Sequence, residues 1–293
     1  MQKLTYYLFR VFGALFRLIP FWLLYRISDF LYFILYKVFG YRKAVVQTNL
    51  TKSFPEKEEK ELKQIERKFY KFLADIFLEG IKGFSMSKEQ LIKRYKVLNP
   101  ELLDKYRKKG RSVIAYASHY GNWEWGVLCL SLQFKYKSVG FYKPLSNRYI
   151  DKHLRKTRAA WGMSLVPIKD TSKAFEEYKK SSVIFFMIAD QSPQRPEVSH
   201  NINFLGRDTL FLHGPAKYAK QYNYPAVYGE VTRVKRGYYT ITIKPVSEEP
   251  TKSEEIQITE LAARILERSI GKEPSYWLWS HKRWKHSVGK TKK

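Results

Sequence analysis

Residues 111–130 read RSVIAYASHYGNWEWGVLCL. Val113 to Ala117 is a short apolar run of strand type. Ser118-His119-Tyr120-Gly121-Asn122 is a small polar turn. From Trp123 an apolar segment of helical length follows. Strand, turn and helix in this order form the unit of an open α/β sheet, where ligands sit beyond the carboxyl ends of the strands. That rule puts His119 at the working edge. Glu124 comes after four intervening residues, at the start of the helix, a spacing from which a carboxylate reaches back to an imidazole. A histidine held by a carboxylate serves as a general base, because its pKa lies near neutrality and the carboxylate stabilises the imidazolium. No G-x-S-x-G elbow is present, so the hydroxyl to be activated belongs to the substrate. A His-x4-Glu spacing alone arises often by chance. Its setting after a buried strand, with Trp123 and Trp125 flanking Glu124, favours a site over a surface ion pair.

A second strand ends in the same way. SVIFFMIA over residues 182–189 is apolar almost throughout, as expected of a strand buried on both faces of a parallel sheet, and it runs into Asp190-Gln191. Asp190 and Gln191 therefore fall on the edge that carries His119. Between the two, residues 137–141 read as a strand, and 147–161 as a basic helix after Lys143-Pro144. Arg155 and Arg158 lie three apart on that helix and share a face. Lys143, Arg155 and Arg158 are candidate anion or phosphate ligands; a merely solvated basic helix competes with that reading for every residue except Arg158. Further strands are expected at 91–95, 166–168, 225–234 and 238–246, the last two joined as a hairpin by Lys235-Arg236-Gly237. Helices are expected at 56–77, 100–110, 171–180, 214–220 and 256–270. From about residue 90 strands alternate with helices, so the fold class is α/β, a mixed, mostly parallel sheet flanked by helices.

The 293 residues suffice for one large domain. The single Cys129 lies in an apolar run and excludes an internal disulfide framework. Lys and Arg number 54 against 27 Asp and Glu, a formal charge of +27 that demands an anionic partner. Residues 4–40, LTYYLFRVFGALFRLIPFWLLYRISDFLYFILYKVFG, combine apolar and aromatic residues with scattered Arg and Lys. No charge-free stretch reaches the ~18 residues of a clean membrane span, and no cleavage site of signal-peptide type follows. Three readings compete: an interfacial helix with aromatic residues at headgroup level, a tilted span with Arg26 and Asp29 paired, and a helical hairpin over the core. Membrane association is the expectation. The chain thus divides into a membrane-associated region 1–40, a main domain 41–285 and a basic tail 286–293.

Together these residues resemble a known family. His119-Tyr-Gly-Asn-Trp-Glu124 after an apolar strand is similar to the His-x4-Asp/Glu motif of glycerolipid acyltransferases. Asn49-Leu50 with Phe54-Pro55, Arg158 with Gly162, Asp190-Gln191, Phe204-Leu205-Gly206, Gly214-Pro215-Ala216 and Tyr276-Trp277-Leu278-Trp279 with His281 and Arg283 then follow in the order of the lipid A biosynthesis (late) acyltransferases. Leu205 stands where Phe is more usual. The resemblance implies transfer of a fatty acyl chain from acyl carrier protein, without another cofactor or a metal, to a hydroxyl of a lipid A precursor at the bacterial inner membrane, on its cytoplasmic side. It implies His119 as base, Glu124 as its orienting carboxylate, and Arg158, Asp190 and Gln191 as site residues. Anionic membrane lipid is an expected partner and nucleic acid is not, since no zinc-finger spacing or RNP-type motif occurs. Other acceptors, such as a lysophospholipid or another glycolipid, keep the same chemistry. A basic nucleic-acid-binding module and a metallohydrolase using His119, Glu124 and a distant His such as His281 are weaker readings; no H-E-x-x-H is present.

Overall fold

The computed structural model describes residues 1–286. The basic tail expected over 286–293 lies outside them from residue 287 on. The chain begins with α1 (Gln2–Leu18), α2 (Phe21–Phe33, continued by one π turn to Val38), α3 (Lys43–Ser53), α4 (Glu59–Gly83) and α5 (Lys88–Arg94). β1 (Tyr95–Val97), α6 (Glu101–Lys108), β2 (Val113–Ala117), α7 (Trp123–Gln133), β3 (Lys137–Tyr142), α8 (Arg148–Ala159) and β4 (Met163–Pro167) follow. Then come α9 (Thr171–Tyr178), β5 (Val183–Ile188), β6 (Ser199–Phe204), β7 (Arg207–Leu212), α10 (Gly214–Tyr222), β8 (Ala226–Lys235), β9 (Tyr238–Ser247) and α11 (Glu255–Lys272).

Seven strands form one sheet in the order β1-β9-β8-β2-β5-β3-β4. Every neighbouring pair is parallel except the β8–β9 hairpin. The expected mixed, mostly parallel α/β sheet is therefore the observed one. β2 and β5 sit side by side, in register from Val113↔Ile184 to Ala117↔Ile188. Period-two alternation drives residues to both faces. Ile114, Tyr116, Val183 and Phe185 enter one core layer, beneath α3, α9, α10 and α11. Val113, Ala115 and Ile184 enter the other, beneath α4, α5, α6 and α7.

Two local readings need correction. Leu91 lies in helix α5, not in a strand; Ser87 and Gln90 cap that helix reciprocally, and the strand begins only at Tyr95. Ser199–Leu212 forms an antiparallel hairpin that sequence reasoning did not anticipate. Its turn puts Leu205 at φ 52° and Gly206 at φ 68°, and a leucine in the left-handed region gives no turn signal.

The N-terminal region is a bent pair of helices. No single helix among the described residues is long and apolar enough to cross a membrane; α1 and α2 with its extension, bent by 119°, meet that length and composition only together. Lys82, buried on α4, caps the end of α1 by donating to the carbonyls of Phe16, Arg17 and Ile19 at 3.1, 2.8 and 2.7 Å. α2 buries Leu24 and Ser28 against α4. The Arg26–Asp29 pair is not formed. Arg26 is exposed, and Asp29 accepts from Arg236 at 2.7 Å. Buried Asp75 takes Arg233 and Arg236 at 2.5 and 2.6 Å and Ser28 at 2.6 Å, tying α2 and α4 to the β8–β9 hairpin. Outward, α1 presents Leu4, Leu8, Val11, Leu15 and Leu18 to solvent, a continuous apolar face at helical spacing.

Candidate active site

β2 and β5, being parallel neighbours, release His119 and Asp190 at the same edge. The His119 ring meets the Asp190 carboxylate, with Nδ1 2.7 Å from Oδ1. Asp190 Oδ2 accepts the His119 backbone N–H at 2.9 Å and the Trp277 indole N–H at 2.8 Å. The carboxylate is 4% exposed. Burial by itself would raise its pKa; the His119 imidazole and the three donors outweigh that and hold it below the ordinary carboxylate range. Since Nδ1–H donates to Asp190, Nε2 keeps its lone pair, and Gln191 Nε2–H donates to it at 3.1 Å. The ring packs edge-on against Trp123, centroids 5.2 Å apart.

The turn that carries His119 is held on both sides. Gly121 has φ +65°, and a Cβ there would lie 2.5 Å from Val231 Cγ1, so only glycine fits. Its N–H donates to Tyr276 O, while Leu278 N–H donates to His119 O. Asn122 caps α7 by accepting the Trp125 N–H at 2.8 Å. The other end of that amide donates to Glu79 at 2.6 Å. Glu79 is fully buried on α4 and also accepts from Tyr25 and Tyr239, each at 2.8 Å. Burial, with the Asp75 charge adding to it, pushes the Glu79 carboxyl up to about 7.

Glu124 does not orient His119. It faces Arg158, with Oε2 3.1 Å from Nη2, and so joins α7 to the basic helix α8. Asp190 instead arrives beside the ring directly from the adjacent strand. Arg155 is taken by Asp151 of its own helix at 3.2 Å. Lys143 stands exposed beyond β3, without an ion pair among the described residues. Sequence reasoning thus placed His119, Asp190 and Gln191 on one edge but expected Glu124, where the structure has Asp190, beside the imidazole.

The C-terminal segment closes the other side. His281 is pushed down to about 4 by burial against the opposing pull of Asp190. Arg283 is 3% exposed and rests on the Phe211 ring at 4.5 Å. Its Nε and Nη2 find no hydrogen-bond partner among the described residues. Burial, opposed by the Asp190 charge, brings its guanidinium down to about 10.

Fold and site together define an α/β protein with a histidine–aspartate pair at the carboxyl edge of a mostly parallel sheet. The pattern of the bacterial lipid A biosynthesis acyltransferases matches residues 1–286. The chain belongs to that family and is an acyltransferase of lipid A synthesis. A search of curated proteins returned no match.

Proposed function

We propose that the protein transfers a fatty acyl chain from acyl carrier protein to a hydroxyl of a lipid A precursor, with His119 as general base oriented by Asp190. The observation that carries this reading is the 2.7 Å contact between His119 Nδ1 and Asp190, which leaves Nε2 as acceptor at the sheet edge. Gln191 holds the lone pair in the resting site and yields it to the acceptor hydroxyl. Nε2 takes the hydroxyl proton as the oxygen attacks the thioester carbonyl. The oxyanion faces the positive end of α7, whose first N–H groups lack intrahelical partners. Collapse breaks the carbon–sulfur bond, and the departing thiolate of the carrier's prosthetic arm recovers the proton from His119. No acyl-enzyme is required. Arg158, held by Glu124, is a second cation for the oxyanion or a substrate phosphate.

We infer that the protein acts at the cytoplasmic face of the bacterial inner membrane. The exposed face of α1 supports this, since a helix of that pattern lies in the bilayer interface, and the charge of +27 suits anionic lipid and an acidic carrier protein at once. The test is transfer of labelled acyl chain from acyl carrier protein to a tetraacylated lipid A precursor bearing inner-core sugars, beside lysophosphatidic acid. Acylation of the first acceptor is expected. Acylation of the second alone keeps the chemistry and refutes the acceptor.

A further inference from the structure

We propose that the groove between α2, α4 and the tip of the β8–β9 hairpin seats a phosphate on the sugar headgroup of the acceptor. The proposal rests on the acyltransferase reading above. β8 pairs with β2 only from Ala226 to Tyr228. The hairpin then runs on past the end of β2, flanked by β1 at Tyr239 to Ile241, and its tip with α2 and α4 borders an open groove of about 750 Å³. A second hollow of about 260 Å³ shares Arg233, Glu273 and Tyr276 with it and reaches Tyr120, the residue after His119. The two lie side by side between α2 and the histidine turn and share that part of their walls.

The charges in this groove are unequal. Lys68 and Lys71, three apart on one face of α4, and Lys235 at the hairpin tip line the large cavity. None of the three has a carboxylate partner among the described residues. Lys71 instead lies over the Tyr32 ring at 5.6 Å and Lys235 over Tyr238 at 4.5 Å. The aspartates of the wall are occupied, Asp75 by Arg233 and Arg236 and Asp29 by Arg236. Glu273, the third carboxylate of the wall, has no ion pair among the described residues, so the groove sets Lys68, Lys71, Arg233, Lys235 and Arg236 against Asp29, Asp75 and Glu273, a net positive lining that fits an oxyanion. α2 supplies Asp29, Tyr32 and Phe33 to the wall while exposing Trp22 and Phe30 outward. A phosphorylated amphiphile with its chains along that apolar face therefore places its headgroup in the groove.

A phospholipid headgroup offers the same phosphate, so the test separates the two sources. The protein in detergent is titrated with a diphosphorylated and a dephosphorylated glucosamine-disaccharide glycolipid, and with phosphatidylglycerol vesicles. The comparison is with a Lys68→Ala, Lys71→Ala, Lys235→Ala variant, whose exposed side chains leave the fold intact. Wild type is expected to bind the phosphorylated glycolipid roughly tenfold or more tighter than the dephosphorylated one. The variant is expected to lose that preference with vesicle binding largely retained. Equal binding of the two glycolipids by wild type, an unchanged preference in the variant, or a parallel loss on vesicles overturns the proposal. Acyl transfer with an indifferent groove refutes the groove alone. A phosphate preference that depends on the three lysines, without transfer, refutes the enzymatic reading alone.

Discussion

Asp190 and Glu124 have separate partners, His119 and Arg158, and mutants should separate them. Asp190→Asn keeps the shape of the site but favours the wrong imidazole tautomer, and the rate of acyl transfer should fall by about three to four orders of magnitude. Glu124 is paired with Arg158. Glu124→Gln and Arg158→Met should each slow transfer by a similar factor, and the double variant should be no slower than the worse single one. An additive double loss would mean that the pair does not work as a unit. His119 was legible because strand, turn and helix are local in sequence. Its partnership with Asp190 was not, because it depends on β2 and β5 being neighbours across 71 residues, and no spacing encodes which parallel strands adjoin. Glu79, which holds the turn, left no local signal either, and Trp277, which holds the carboxylate, stood out only as part of the family motif without a role. Glu79 is an ordinary member of an amphipathic helix until the fold brings it to the site.

At the scale of elements, Glu79 is where α2, α4, α7 and β9 meet. Its carboxyl is raised in the folded protein, so it keeps its proton where the unfolded chain has released it. Stability from this group is therefore full below the ordinary carboxylate range and declines as pH rises toward about 7. Glu79→Gln satisfies the same neighbours without that titration. The melting temperature of wild type should fall relative to the variant between pH 5 and 7, and the gap should then stay constant. Glu79→Ala leaves Asn122 and two tyrosine hydroxyls unpaired and should cost about 3 kcal/mol or more in chemical denaturation. The buried strands were readable because β5 is apolar throughout and β8–β9 carries Lys235-Arg236-Gly237. The run from Leu91 to Tyr95 misled because a short apolar stretch fits either element, and the Ser87–Gln90 capping box that decides for helix lay just upstream. The β6–β7 turn was hidden by Leu205, a residue type that rarely takes positive φ.

For the whole molecule, the apolar N-terminus and the basic excess were both evident in the sequence. The bend between α1 and α2 was not, since it is held by Lys82 from a distant helix. Because α2 covers part of the core, deleting residues 1–40 would damage folding and membrane binding together. Leu4→Ser, Leu8→Ser, Val11→Ser and Leu15→Ser change only the exposed face of α1. That variant should fold as wild type and fail to float with anionic vesicles; unchanged flotation would assign membrane binding to the basic domain. The central claim is that His119 is the base of acyl transfer. Its most direct test is the rate at which the His119→Ala protein moves a labelled chain from acyl carrier protein to the lipid A precursor. A loss of about two to four orders of magnitude at unchanged melting temperature is predicted. A rate above a tenth of wild type would contradict the account and place the base elsewhere.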